Sequence, residues 1–192
     1  MRQVFVFSIF VLILFCNACT KEFPRLKEVD DVCTTMDDIN FMKYCYDKFD
    51  VNHDGKVSME EAAAVKEISV EGCSSLKGIE YFSAITKLSC SGNNLSSLDV
   101  SKNTQLTSLS CYGNNLSSLD VSKNTQLTKL YCSGNNLSSL DVSKNTQLES
   151  LDCRYNNLTS LDVSKNTALK FFSYNPQGEN GERKITPTGW SK

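Results

Sequence analysis

The stretch LYCSGNNLSSLDVSKNTQ, residues 130–147, occurs nearly unchanged three more times, at 88–105, 109–126 and 151–168. A fixed short period constrains the fold more than composition can, because each copy must adopt the same local structure and meet its neighbours in the same way. The units run 85–105, 106–126, 127–147 and 148–168 and read L-x-x-L-x-C-x-x-N-x-L-x-x-L-x-V-x-x-N-T-x, with Ile85 in the first place of the first copy. One unit is too short to bury its own apolar residues, so stability has to come from stacking.

The pattern predicts how they stack. In L-x-C the two side chains are two residues apart and share one face of a strand. Leu88, Leu109, Leu130 and Leu151, with Cys90, Cys111, Cys132 and Cys153, then form inward columns behind a parallel sheet. Strands in such a sheet lie about 4.8 Å apart. Cysteine suits this place as a small, closely packing hydrophobe. A disulfide or metal ladder is disfavoured, since Cys-x-x-Cys spacing and a histidine partner are missing from the units. Asn93, Asn114, Asn135 and Asn156 end each strand, where an amide can donate to and accept from neighbouring backbone. Asn103, Asn124, Asn145 and Asn166 follow L-D-V-S in the same grammar, which predicts a second short extended segment on the far side. The Asp99, Asp120, Asp141 and Asp162 row, with Lys102, Lys123, Lys144 and Lys165 three residues on, reads as a solvated, charge-balanced face.

These units resemble leucine-rich repeats, with cysteine where a third leucine is usual, and within that family they are most similar to internalin-like bacterial surface proteins. The resemblance implies an α/β solenoid: a short leucine-rich-repeat coil with a concave parallel sheet that binds partners. The letters that differ among copies fall at outward strand positions, and Lys87, Tyr112, Lys129, Tyr131, Asp152, Arg154 and Tyr155 are the candidate ligand-binding residues. Tyrosine and arginine are enriched at interface hot spots. Neutral drift of solvent-facing positions after duplication is the competing explanation.

Ahead of the repeats, FDVNHDGKVSMEE at 49–61 matches the EF-hand calcium loop. The resemblance assigns calcium to Asp50, Asn52 and Asp54 through side-chain oxygens, Lys56 through its carbonyl, Ser58 directly or through water, and Glu61 through both carboxylate oxygens. Gly55 permits the sharp turn, and His53, the sole histidine, faces away from the ion. A helix starting at Thr35-x-x-Asp38 and a second carrying Ala62, Ala63, Val65 and Ile68 are expected on either side. EF-hands usually pair, and here there is one, so a structural ion closing the solenoid's apolar end is expected. The fold expectation is therefore a solenoid with an N-terminal helix–calcium loop–helix cap.

The N-terminus opens with Arg2 and an apolar run from Val4 to Phe15, too short to span a bilayer and suited to a signal peptide. CNAC at 16–19 resembles a bacterial lipoprotein cleavage box, which implies lipidation of Cys19; cleavage after Ala18 without lipid is the alternative. Of nine cysteines, setting aside Cys16 and Cys19 leaves an odd seven, and only Cys33, Cys45 and Cys73 lie outside the repeat columns as bridge candidates whose pairing stays open. The expected organisation is a signal peptide at 1–18, a tether at 19–35, the EF-hand at 36–69, the repeats at 70–174 with a degenerate first and a partial fifth, and a tail or cap at 175–192 in which Ile185 and Trp190 cover the core.

A net charge of −2 gives no basis for nucleic-acid binding. With one histidine, no phosphate-binding glycine loop and no nucleophile beside a base, catalysis is not expected. What is expected is an exported protein, anchored by N-terminal lipid at the outer membrane or cell surface, that binds a protein partner in adhesion or interaction. The alternative is an envelope accessory lipoprotein that binds a glycan or a partner subunit.

Overall fold

The computed structural model describes residues 30–178 and 185–190, so the expected signal peptide, Cys19 and most of the expected tether lie outside the described residues. A cap precedes a solenoid. The cap holds a 3-10 turn at Val32–Thr35 and two helices, α1 (Ile39–Phe49) and α2 (Met59–Ala64). Six three-residue strands follow: β1 (Glu67–Ser69), β2 (Lys87–Ser89), β3 (Ser108–Ser110), β4 (Lys129–Tyr131), β5 (Ser150–Asp152) and β6 (Phe171–Ser173). They form one parallel sheet in sequence order. Leu88, Leu109, Leu130, Leu151 and Phe172 lie in direct register, and Ile68 of β1 begins that column.

The inner wall is built as the period requires. Cys90, Cys111, Cys132 and Cys153 are fully buried, as are Val100, Val121 and Val142 of the return arm. Burial pushes the Cys111 and Cys153 thiols up to about 12, so they stay protonated and behave as small apolar groups. Asn135 shows the strand-exit column at work. Its Oδ1 accepts from Leu116 N–H at 3.0 Å, and its Nδ2 donates to the carbonyls of Cys111 at 2.9 Å and Cys132 at 3.1 Å. Asn114 and Asn156 repeat the pattern, and in the tail Gln177 takes up the next step by donating to Cys153 O at 3.0 Å.

The return arm departs from expectation. Among the described residues it forms turns, apart from a single bridge between Asp162 and Thr188. The reason lies in the aspartate row. Each carboxylate accepts the N–H two residues on, as Asp120 does from Ser122 at 2.8 Å. Such a bond folds the segment into a turn. Those bonds hold the four carboxyls below the ordinary carboxylate range, ahead of any lysine charge.

Both ends of the solenoid also differ from the expected boundaries. Helix α2 stops at Ala64, and Ile68 is a buried residue of β1, so the sheet begins inside the segment assigned to the second helix. Asp38, rather than Thr35, caps α1, accepting from the N–H groups of Asn40 and Phe41 at 2.9 and 3.0 Å. Its second oxygen takes Ser74 N–H at 2.7 Å and Ser74 Oγ at 2.8 Å, tying the cap to the first coil. Burial opposes ionisation there, but the hydrogen bonds from Ser74, Phe41 and Asn40 prevail and lower the carboxyl to about 2. Phe82 then packs against Phe41 and Phe49, with ring centroids 6.3 and 5.3 Å apart. At the other end Trp190 meets Phe172 edge-on at 5.0 Å, and Ile185 is buried.

Candidate functional site

The sheet's exposed face is read column by column from the strand register. One column runs Glu67, Lys87, Ser108, Lys129, Ser150 and Phe171. The next runs Ser69, Ser89, Ser110, Tyr131, Asp152 and Ser173. One step beyond the strands, the 21-residue period aligns Ser91, Tyr112, Ser133 and Arg154. Apart from Glu67 and Lys87, the outward strand positions of β1 to β3 are serines, and the bulky side chains gather over β4 to β6.

There Lys129, Tyr131, Glu149, Asp152, Phe171 and Ser173 surround a shallow depression of about 450 Å³. Phe171 is 70% exposed, an apolar ring held in water next to charged neighbours. Arg154 grips Asp152 with two contacts, Nε to Oδ1 at 3.0 Å and Nη2 to Oδ2 at 2.8 Å. A paired, charge-assisted grip of this kind fixes both side chains. Lys87 is pinned sideways to Glu67 at 2.6 Å. Of the seven candidates, Lys129, Tyr131 and Asp152 line the depression, while Tyr112 is 54% exposed one column away and Lys87 lies two strands from β4.

Tyr155 is placed differently from the expectation. It occupies the position of Gly92, Gly113 and Gly134, all left-handed, and itself has φ 51°. It stands at the strand-exit turn beside Asn114, Asn135 and Asn136 rather than among the outward strand positions. Phe171 and Glu149 were not among the candidates. Phe171 sits 21 residues after Ser150, so a count carried into the degenerate last unit would have found it.

The cap presents the other candidate site. His53 at φ 58° and Gly55 at φ 81° wrap residues 50–61 into a closed loop. Asp50 accepts from the N–H groups of Asp54 and Gly55 at 3.1 and 3.0 Å, and Asn52 Oδ1 accepts Asp54 N–H at 2.9 Å. Asp54 Oδ1 takes Lys56 N–H at 2.9 Å, and the Lys56 ammonium pairs with Asp30. Glu61 completes a capping box with Ser58, and its other oxygen accepts Val51 N–H at 3.0 Å. Asp50, Asn52, Asp54, Ser58 and Glu61 are all oxygen donors, the set a hard divalent cation takes. Among the described residues, however, no three His, Cys, Asp or Glu side chains converge into a group that could hold a metal ion. The donor chemistry suits calcium; the loop is closed by its own hydrogen bonds.

A short segment ahead of α1 backs the loop. Val57 O accepts Val32 N–H at 2.9 Å, and Val57 N–H donates to Asp31 Oδ1 at 3.2 Å. The other Asp31 oxygen takes the Tyr46 hydroxyl at 2.6 Å. Residues 31–33, expected to be tether, are thus buried structure that supports the loop.

A family model for leucine-rich repeats, two copies long, matches residues 125–173. The functional domain of InlJ from Listeria monocytogenes, a structure described as including a cysteine ladder, aligns at TM-score 0.70 and 35% identity over 76% of this chain and 33% of its own. The coils are leucine-rich repeats. The leucine-rich-repeat protein LIC12759 from Leptospira interrogans aligns at TM-score 0.59 and 19% identity, over 67% of this chain and 34% of its own. An internalin (inlF) from Listeria monocytogenes aligns at 0.55 and 18%, over 76% and 58%. These last two show the fold alone. The chain spans about a third of the length of the first two structures, and no curated protein matches the sequence. Leucine-rich repeats of this kind generally serve as interaction modules rather than enzymes. Among the described residues no helix is long and apolar enough to cross a membrane.

Proposed function

We propose that this leucine-rich-repeat protein is exported, anchored through lipid on Cys19, and binds another protein through the exposed face of its sheet, as an adhesion or interaction module at the bacterial surface. One observation carries the reading: the wall is nearly invariant across copies, while Lys129, Tyr131 and Asp152 line one depression with Phe171 exposed at its edge. An aromatic ring beside fixed charges is the composition of a protein-binding hot spot. The internalin-like neighbours support a surface location. Calcium in the loop at Asp50, Asn52, Asp54, Lys56, Ser58 and Glu61 would be structural, neutralising three carboxylates and stiffening the cap.

A variant carrying Tyr131→Ala and Phe171→Ala should keep the wild-type melting profile and lose capture of the surface partner that the wild-type chain retains from intact cells. Normal capture by that variant defeats the proposal. A glycan array probed with the wild type and with a Tyr112→Ala, Tyr155→Ala variant separates the alternative, since sugar binding lost in that variant points to a glycan ligand. Labelled palmitate that stays on a Cys19→Ser chain rules out the anchor.

A further inference from the structure

Three charged side chains line the depression over β5, and two of them are neutralised within the fold. Glu149 takes the Lys170 ammonium at 3.1 Å, and Asp152 is held by Arg154. Lys129 is exposed and has no ion-pair partner among the described residues. The repeat's own grammar also breaks here. Thr107 and Thr128 each donate a hydroxyl to the threonine carbonyl one coil back, at 3.1 and 3.0 Å, and Glu149 stands at the next step of that ladder. The strand register sets Lys129 and Phe171 on opposite sides of Ser150. With strands about 4.8 Å apart, their Cα atoms are separated by about 10 Å. Ser150 is 8% exposed, so it forms a low floor between an ammonium on one wall and a bare aromatic ring on the other. Tyr131 lies two residues beyond Lys129 on the same face of β4.

We propose that the depression takes an extended segment of the partner protein that carries an acidic and an apolar side chain two residues apart, the carboxylate on Lys129 and the apolar group on Phe171. The inference rests on the protein-binding reading of this face and specifies what the partner presents. In an extended peptide, alternate side chains point the same way and lie about 7 Å apart. Lysine and phenylalanine are long enough to reach that spacing from backbones about 10 Å apart. Charge selects the acidic segment over the others. A basic one meets the Lys129 ammonium unshielded and finds Glu149 and Asp152 already engaged. A wholly apolar one strips water from that ammonium and returns nothing for it. A carboxylate supplies the missing partner through a charge-assisted hydrogen bond.

The test pans a phage-displayed library of random short peptides against the full chain and measures the enriched peptides on purified variants by calorimetry. Enriched sequences should carry Asp or Glu two residues from Leu, Ile, Phe or Tyr. Lys129→Gln should weaken them by about tenfold or more with its melting midpoint unchanged. Lys123→Gln, an exposed site on the return arm, should leave their affinity as it is. Replacing the peptide carboxylate by its amide should weaken binding to the wild type by the same factor and to Lys129→Gln no further. Additive losses, enriched peptides without an acidic residue, or a library that enriches nothing overturn the proposal. The Tyr131→Ala, Phe171→Ala variant separates the two readings. Peptides that lose that variant but keep Lys129→Gln leave the face as the binding surface and remove the acidic partner. Peptides that bind both variants normally defeat both readings.

Discussion

Asn135 and Asn145 sit ten residues apart in one coil, each fully or nearly enclosed, and they meet different demands. At the strand exit Asn135 serves an N–H, that of Leu116, together with two carbonyls. On the return arm Asn145 Nδ2 serves the carbonyls of Val121 and Asn124 at 3.0 and 2.9 Å, and its Oδ1 meets no donor. Asn103, Asn124 and Asn166 share that unpartnered oxygen. Both carbonyls on the return arm have a second partner in the backbone, from Asn124 N–H and Leu127 N–H at 3.0 Å each. Buried N–H groups without an acceptor are rarer than carbonyls lacking one of two donors. The same residue type therefore carries unequal weight in the two columns, and the wall's cohesion is concentrated at the strand exit.

Asn135→Ala should disturb this contrast most. It strands Leu116 N–H and removes a donor from two carbonyls, and a loss of about 3 kcal/mol is expected from the cost of unsatisfied buried groups. Urea unfolding followed by circular dichroism measures it. A loss under about 1 kcal/mol, the low end for an unpaired buried group, would mean that water reaches the strand exit.

Asp38 extends the logic of the strand-exit column to the junction of cap and first coil, with one carboxylate serving Asn40, Phe41 and Ser74. Its folded pKa of about 2 lies below the ordinary aspartate value near 3.9. The stabilisation is therefore complete above pH 4 and is lost as pH falls through about 2. The residue is only 7% exposed, so solvent screens the contacts little. Linkage then puts the carboxylate's contribution at about 2 kcal/mol. Melting midpoints of wild type and Asp38→Asn should differ at pH 6 and converge at pH 2. Parallel curves would show that the carboxylate is not the tie.

Asn145→Ala should cost only about 1 kcal/mol, because it removes an unpartnered acceptor along with two shared donors. Measured beside Asn135→Ala, it sharpens the contrast, and equal losses would erase it.

The repeat made the wall legible from sequence: side chains two apart must share a face, and four identical asparagines must meet four identical backbones. The inequality of the two columns was not legible, since L-D-V-S-K-N and L-x-C-x-x-N share one grammar and only the aspartate turn separates them. The burial of Val32 and Cys33 was not legible either. A short, charged stretch broken by Pro24 reads as tether until Val57 is seen to need a partner. Phe171 was hidden by the decay of the pattern around it. Positions set by periodicity can be read directly, whereas those set by contact between unlike segments require the fold.

Tyr155 gives the smallest and most instructive effect, because it puts a side chain where three other copies place glycine. A left-handed backbone costs a non-glycine residue about 1–2 kcal/mol. The ring is 46% exposed. Its partial burial recovers part of that cost. Tyr155→Gly should therefore stabilise the chain by about 0.5–1 kcal/mol, opposite in sign to every wall substitution above. The strand-exit asparagine next door, Asn156, keeps its contacts to Cys132 O and Leu137 N–H in either case, so the change isolates the turn from the column. A gain of that size would show that the ring does not hold the fold together and would keep Tyr155 among the binding candidates. If the glycine variant is instead less stable by about 1 kcal/mol or more, the size of an ordinary destabilising substitution, the ring is part of the wall, and Tyr155 leaves the set of binding candidates.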